Sequence, residues 1–181
     1  GFVMNGAAGD WVIRRGPIFA NFVLADEVNR APGRAHASLL EALEEGQVTV
    51  EGETFSLPKP FRLLATRNQG ESAGIYPIPD ALLDRFALEV PMGYPDKDSE
   101  KNLYLRGPVK SKSPLPPLGT PALWDRLEHA VPKIFVSPEL LEYAVAVTRT
   151  LRDNKHIEEG PSPRAGMAWI DLSTGRFLVS E

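Results

Sequence analysis

The sequence has no cysteine in its 181 residues. That excludes disulfides, thiolate metal sites and cysteine nucleophiles. Histidine is scarce too: His36, His129 and His156 are scattered and show no metal-ligand spacing. Long apolar runs are missing. The longest, Ile18 to Ala25, is interrupted by Asn21 and falls far short of the ~20 residues a membrane span needs. No leader pattern opens the chain. It starts at Gly1, in a loop-like run with Gly6, Gly9 and Asp10, which reads as an internal cut. Positive charge is not in excess. Lys and Arg total 20 against 24 Asp and Glu, a net charge of -4, so no basic footprint for nucleic acid is expected. A cytoplasmic location fits these absences.

What is present is ordinary for a globular chain, with 43% hydrophobic and 24% charged residues. Phe22-Val23-Leu24-Ala25 is a short apolar run closed by Asp26-Glu27, the pattern of a buried parallel strand. Its carboxylates fall at the strand's C-terminal end, where open α/β sheets place ligands. Pro32 opens a helical stretch that stops at Gly46. Gln47–Val50 and Thr54–Leu57 alternate around Glu51-Gly52-Glu53 and read as a β-hairpin. Phe61–Thr66 is a second strand, closed by Arg67-Asn68. A short helix over Pro79–Arg85 and a third strand over Phe86–Val90 follow. Beyond Met92–Pro95 helices dominate: 96–106, then a proline-rich linker over 107–121, then a helix opened by Ser137-Pro138. Ser162-Pro163-Arg164 opens another. The expected organisation is an α/β core over 1–95, a linker and first helix over 96–121, and a small α domain over 122–181.

Four constellations carry chemistry, and each also has an ordinary reading. Asp26-Glu27 supplies a metal-holding carboxylate and a water-polarising one, or a solvated strand end. Asn68 holds a lytic water without adding charge, or caps its own turn. Arg85, in Leu82-Leu83-Asp84-Arg85-Phe86, reaches a neighbour's phosphate, or pairs with a surface acid. Arg164 senses nucleotide from a lid helix, or is solvated. Singly these signals are weak. Their order is specific: strand-Asp-Glu, hairpin, strand-Asn, helix-Arg, linker, helices-Arg.

In that order the chain resembles the MoxR family of AAA+ ATPases over roughly residues 10–166. Gly16-Pro17-Ile18-Phe19-Ala20-Asn21 running into Leu24-Ala25-Asp26-Glu27-Val28-Asn29-Arg30-Ala31 is similar to that family's Walker B region. Leu64-Ala65-Thr66-Arg67-Asn68, Tyr76-Pro77-Ile78-Pro79, Leu83-Asp84-Arg85-Phe86 and Ser162-Pro163-Arg164-Ala165 continue the likeness. The resemblance implies a partial P-loop NTPase core, with parallel strands 3-4-5 of a sheet ordered 5-1-4-3-2, followed by a helical lid. It implies Asp26 and Glu27 as the Walker B pair, with Asp26 on Mg²⁺. It implies Asn68 as sensor 1, Arg85 as arginine finger and Arg164 as sensor 2, all converging on a triphosphate. The 47–57 hairpin becomes the pre-sensor-1 insertion facing a ring's pore, and residues 11–17 the end of a helix-2 insertion. ATP, Mg²⁺, a hexameric homo-oligomer, a von Willebrand A-domain partner and a client complex to be matured are the associates it implies.

The sequence departs from the family in three places. No Gly-x-x-x-x-Gly-Lys-Ser/Thr occurs, so the amides and lysine that cradle phosphates are missing. This stretch is therefore expected to be the downstream part of a longer protein, inactive and poorly stable alone, with open sheet edges. Asp171, Ser173, Thr174, Gly175 and Arg176 interrupt the Ala/Leu-rich helix usual after Arg164-Ala165, so an incomplete lid is expected. The turn after Asn68 reads Gln69-Gly70-Glu71-Ser72, without the common proline. Two other readings stand beside the ATPase: a non-catalytic interaction module, and a magnesium-chelatase-like branch of the same clade.

Overall fold

The computed structural model describes residues 2–4, 11–68, 74–106, 116–117 and 119–180, with side chains over 14–68, 74–105, 116–117 and 119–176. Strands β1 (Phe2–Met4) and β2 (Trp11–Ile13) form an antiparallel ribbon, Phe2 opposite Ile13. The centre of the chain is a parallel pair. Strand β3 (Phe22–Ala25) lies beside β6 (Arg62–Ala65), with Phe22 opposite Arg62 and Ala25 opposite Ala65. A parallel pair needs a crossover connection. Here it comprises a 3₁₀ turn (Val28–Arg30), helix α1 (Gly33–Glu45) and a hairpin of β4 (Gln47–Val50) and β5 (Glu53–Ser56).

Local chemistry explains these boundaries. Pro32 sits at the α1 N-cap with φ -67°, a value its ring imposes. Gly46 ends the helix at φ 64° and donates its N–H to the Ala42 carbonyl. That left-handed cap suits glycine. The hairpin turns on Glu51 and Gly52, both at positive φ, as a two-residue primed turn requires. The turn is one residue shorter than the expected Glu51-Gly52-Glu53, so Glu53 opens β5. Ala42, Val48 and Leu57 are fully buried, ringed by Ile18, Phe19, Phe55 and Phe61. Phe19 meets Phe55 edge-on at 6.4 Å, a favoured aromatic geometry.

The other face of the parallel pair is largely bare. Leu24 is 65% exposed and Leu64 56%. Helix α4 (Pro121–Ala130) covers only its beginning, with Trp124 against Phe22 at 5.3 Å and Glu128 paired to Arg62.

The third expected strand does not form. After helix α2 (Asp80–Leu83), Phe86–Val90 is extended or bent without ladder pairing. Strand structure is made by neighbours, and no described strand lies between this segment and β6.

Helices α3 (Lys97–Arg106), α4, α5 (Pro138–Arg152) and α6 (Pro163–Ser180) complete the chain. Residues 107–115 and 118 of the expected linker lie outside the described residues, and its last residue, Pro121, already begins α4. Three of these helices share one start signal. Thr120 and Ser137 each cap a proline-initiated helix by accepting from the backbone N–H three residues on, both at 3.3 Å. Ser162 does the same before Pro163, accepting from Ala165 N at 3.4 Å and also from Arg164 N at 3.1 Å.

Helix α6 is longer than expected. Its polar residues do not break it, because Ser173 and Thr174 return their hydroxyls to the carbonyls of Trp169 and Ile170 at 2.8 and 3.0 Å. It packs on α5, with Tyr143 and Trp169 rings 5.9 Å apart.

Candidate active site

Because β3 and β6 are parallel and in register, their last residues share one edge. Beyond that edge the two chains remain joined. The Thr66 hydroxyl donates to Asp26 Oδ1 and accepts from Glu27 N at 2.8 Å. Val28 N donates to the Thr66 carbonyl at 2.9 Å. Glu27 sits in the left-handed region, φ 49° and ψ 50°, uncommon outside glycine and costing about 1–2 kcal/mol. Such strain gathers where geometry matters. Its carboxylate pairs with Arg30 Nε at 3.0 Å. Asp26, Glu27 and Asn68 are all exposed on this edge.

In the Val28–Arg30 turn beneath them, Val28 and Asn29 are buried and well anchored. Asn29 donates from Nδ2 to the Asn68 carbonyl at 2.9 Å. His36, 2% exposed, places Nε2 2.9 Å from the Val28 carbonyl. His36 is therefore a core residue of α1.

The two arginines form a second group. Arg85 pairs with Glu44 and donates from Nη1 to the Ala81 carbonyl at 2.7 Å. Arg164 lies 3.5 Å from Glu44 Oε1 and 3.5 Å from Asp84 Oδ2. Ser162 donates to Asp84. Glu44 is in the last turn of α1, while the acid pair precedes its first. From His36 to Glu44 the axis advances about 12 Å. Asp26, Glu27 and Asn68 thus come together at one end of α1, and Arg85 and Arg164 at the other.

A half-open cavity of about 580 Å³ lies beside β6, walled by Thr66, Arg67 and Asn68 on one side and Leu88, Val90 and Met92 on the other. Arg67 pairs with Glu89 across it. It touches Asn68 but neither Asp26 nor Glu27. It lies between β6 and the segment Phe86–Val90.

The residues fit magnesium held jointly with phosphate. Among the described residues no three His, Asp or Glu side chains cluster as a metal cage. Mg²⁺ prefers oxygen donors and is commonly held by one or two carboxylates plus substrate phosphates. Asp26 supplies such a carboxylate. The Gly-x-x-x-x-Gly-Lys-Ser/Thr pattern that cradles phosphates does not occur in the sequence.

Sequence reasoning gave no role to Thr66 or Asn29, although both stand within quoted strings. Their signal was position: each lies within three residues of an expected catalytic group on a joined strand end.

Residues 2–88 match the family described as ATPase family associated with various cellular activities (AAA). The uncharacterized protein YeaC of Bacillus subtilis is 36% identical over 178 residues, spanning 98% of this chain and 56% of its own. Chaperone MoxR1 of Mycobacterium tuberculosis is 36% identical over 173 residues, 91% of this chain and 46% of its own. A crystal structure from Cytophaga hutchinsonii, of a protein with a provisional ATPase assignment, superposes with TM-score 0.81 at 30% identity, over 96% of this chain and 56% of that one. The chain thus spans about half the length of the curated relatives it matches. A parallel pair ending in Asp-Glu and Asn, followed by helices, together with these matches, defines an AAA+ core of the α/β class with a helical C-terminal part. Within that class the chain is similar to the MoxR family of AAA+ ATPases. No helix among the described residues is long and apolar enough to cross a membrane.

Proposed function

We propose that this chain carries the water-activating half of an ATP-hydrolysing, chaperone-like motor that matures other protein complexes. The observation supporting this reading is the meeting of Asp26, Glu27 and Thr66 at the carboxyl edge of β3 and β6, with the Asn68 backbone tied to the same edge by Asn29. In this reading Asp26 holds Mg²⁺. Glu27 polarises the attacking water, and Asn68 orients it. ATP and Mg²⁺ together supply the γ-phosphoryl group and the charge that neutralises its oxygens.

Arg85 and Arg164 act from the far end of α1. A guanidinium held there is distant from its own Asp26 and suited to a neighbour's nucleotide, as arginine finger and sensor 2. That division favours a homo-oligomeric ring, hexameric by family resemblance, with the β4–β5 hairpin toward the pore. The core domain would span 1–95 and the helical lid 122–181, joined by 96–121. A von Willebrand A-domain partner, a client complex and a cytoplasmic setting complete the proposal.

The test is Glu27→Gln in the whole protein. It should bind ATP normally and hydrolyse it at least about 10²-fold more slowly, at the low end for a lost general base. Wild-type turnover in that variant would overturn the reading.

A further inference from the structure

The hydrogen-bond ladder between β3 and β6 does not stop where the strands stop. After Ala25 and Ala65, Thr66 N donates to the Ala25 carbonyl at 3.0 Å and Val28 N to the Thr66 carbonyl at 2.9 Å. The next step is made by a side chain. Asn29, 6% exposed, presents its carboxamide to the backbone of Asn68. Nδ2 donates to the Asn68 carbonyl at 2.9 Å, and Oδ1 accepts from Asn68 N at 3.4 Å. The amide's orientation is fixed by this partner, since a flipped carboxamide would set oxygen on oxygen. Asn29 is itself held: its carbonyl accepts from Tyr76 N at 2.8 Å.

We infer that Asn29 is a positioning residue, which sets Asn68 against the Asp26-Glu27 edge by clasping its main chain. This inference rests on the role proposed above for Asn68. Three features support it. The clasp engages both backbone polar groups of one residue, so it fixes that residue's rotation as well as its distance. It joins the loop after β3, which carries Glu27, directly to the loop after β6, which carries Asn68. It is also buried, where a carboxamide without partners is costly and a satisfied one is rigid. The side chain touches no reacting group. Its effect passes through Asn68 alone.

A residue with this role differs measurably from one that merely fills the core. In the whole protein, Asn29→Ala should lower kcat for ATP about 10–100-fold, the scale of a misplaced catalytic group, and leave KM within about twofold. Asn68→Ala should lower kcat at least as much. The double variant should be no slower than Asn68→Ala, because once that side chain is gone its placement no longer matters. Should Asn29→Ala fold poorly, Asn29→Asp provides the second arm. It is isosteric and keeps the acceptor, but when ionised it loses the donor to the Asn68 carbonyl, so the same kcat loss is expected.

Effects that multiply in the double variant, or a rise in KM with unchanged kcat, overturn the inference. Normal turnover in both Asn29 variants beside a slow Asn68→Ala overturns the clasp alone. Normal turnover in Asn68→Ala overturns the role of Asn68 and the inference with it.

Discussion

Arg85 holds its guanidinium against the carboxylate of Glu44, at the opposite end of α1 from Asp26. The Arg85 side chain is 13% exposed and that of Glu44 41%. Arg85 Nε is buried without a hydrogen-bond partner. The guanidinium therefore relies on Glu44 and on the Ala81 carbonyl for compensation.

Replacing Glu44 tests that reliance. Glu44→Ala should cost about 1–2 kcal/mol, below the value for a fully buried pair because solvent screens the half-exposed carboxylate. The same substitution frees Arg164 from its contact 3.5 Å away. Denaturant unfolding of wild type, Glu44→Ala, Arg85→Ala and the double variant checks the coupling; strictly additive losses would show that the pair contributes nothing.

Thr66 links the two acids of the candidate site. Thr66→Val keeps the shape and removes the hydroxyl that bonds Asp26 and Glu27 N. Turnover of ATP by the whole protein should fall about tenfold, or about 1.4 kcal/mol, and Thr66→Ser should restore most of it. Equal rates for the valine and serine variants would remove Thr66 from the site.

Gly160 is required by space. A Cβ there would lie 2.7 Å from the Arg152 Cα, a backbone atom with little room to move. Gly160→Ala should destabilise the α5–α6 pair by about 1–3 kcal/mol. Thermal unfolding measures this; an unchanged midpoint would contradict the close approach.

Glu41 gives the acid limb of stability a specific contributor. Its carboxylate accepts from the Thr49 hydroxyl and from Thr49 N, joining α1 to the hairpin. The Thr49 hydroxyl is the main cause that holds its pKa below the ordinary 4.5. A pKa lowered in the folded state gives stability that is present above the unfolded value and lost as pH falls through the folded one. Glu41→Gln should therefore be less stable than wild type near neutrality. The difference should shrink below about pH 4.5. Parallel pH–stability curves for the two proteins would contradict this.

Much of this arrangement was legible in the residues. Short apolar runs closed by Asp26-Glu27 and Arg67-Asn68 marked two parallel strands, because an unbroken apolar run bounded by polar residues carries its signal within itself, although one face of the pair is largely exposed. The punctuation of Pro32 and Gly46 fixed α1 almost to the residue. Phe86–Val90 misled because its apolar composition suits a strand but pairing depends on a neighbour that composition does not reveal. Helix α4 was not marked because its first residue, Pro121, was assigned to the end of the linker, although Thr120-Pro121 repeats the start used at Ser137-Pro138. The clasp of Asn29 and the Glu44 pairings were not legible, since each joins residues 39 to 120 positions apart.

Helix α1 acts as a measuring rod. Its 13 residues separate the carboxylates from the arginines, and the turn of the helix decides which way Glu44 faces. One inserted residue would lengthen the rod by about 1.5 Å and swing Glu44 by about 100°. Both arginines would then lose their shared anchor while every side chain of the candidate site stayed in the sequence. The interval between Asp26 and Glu44 should thus tolerate substitution far better than any change of length.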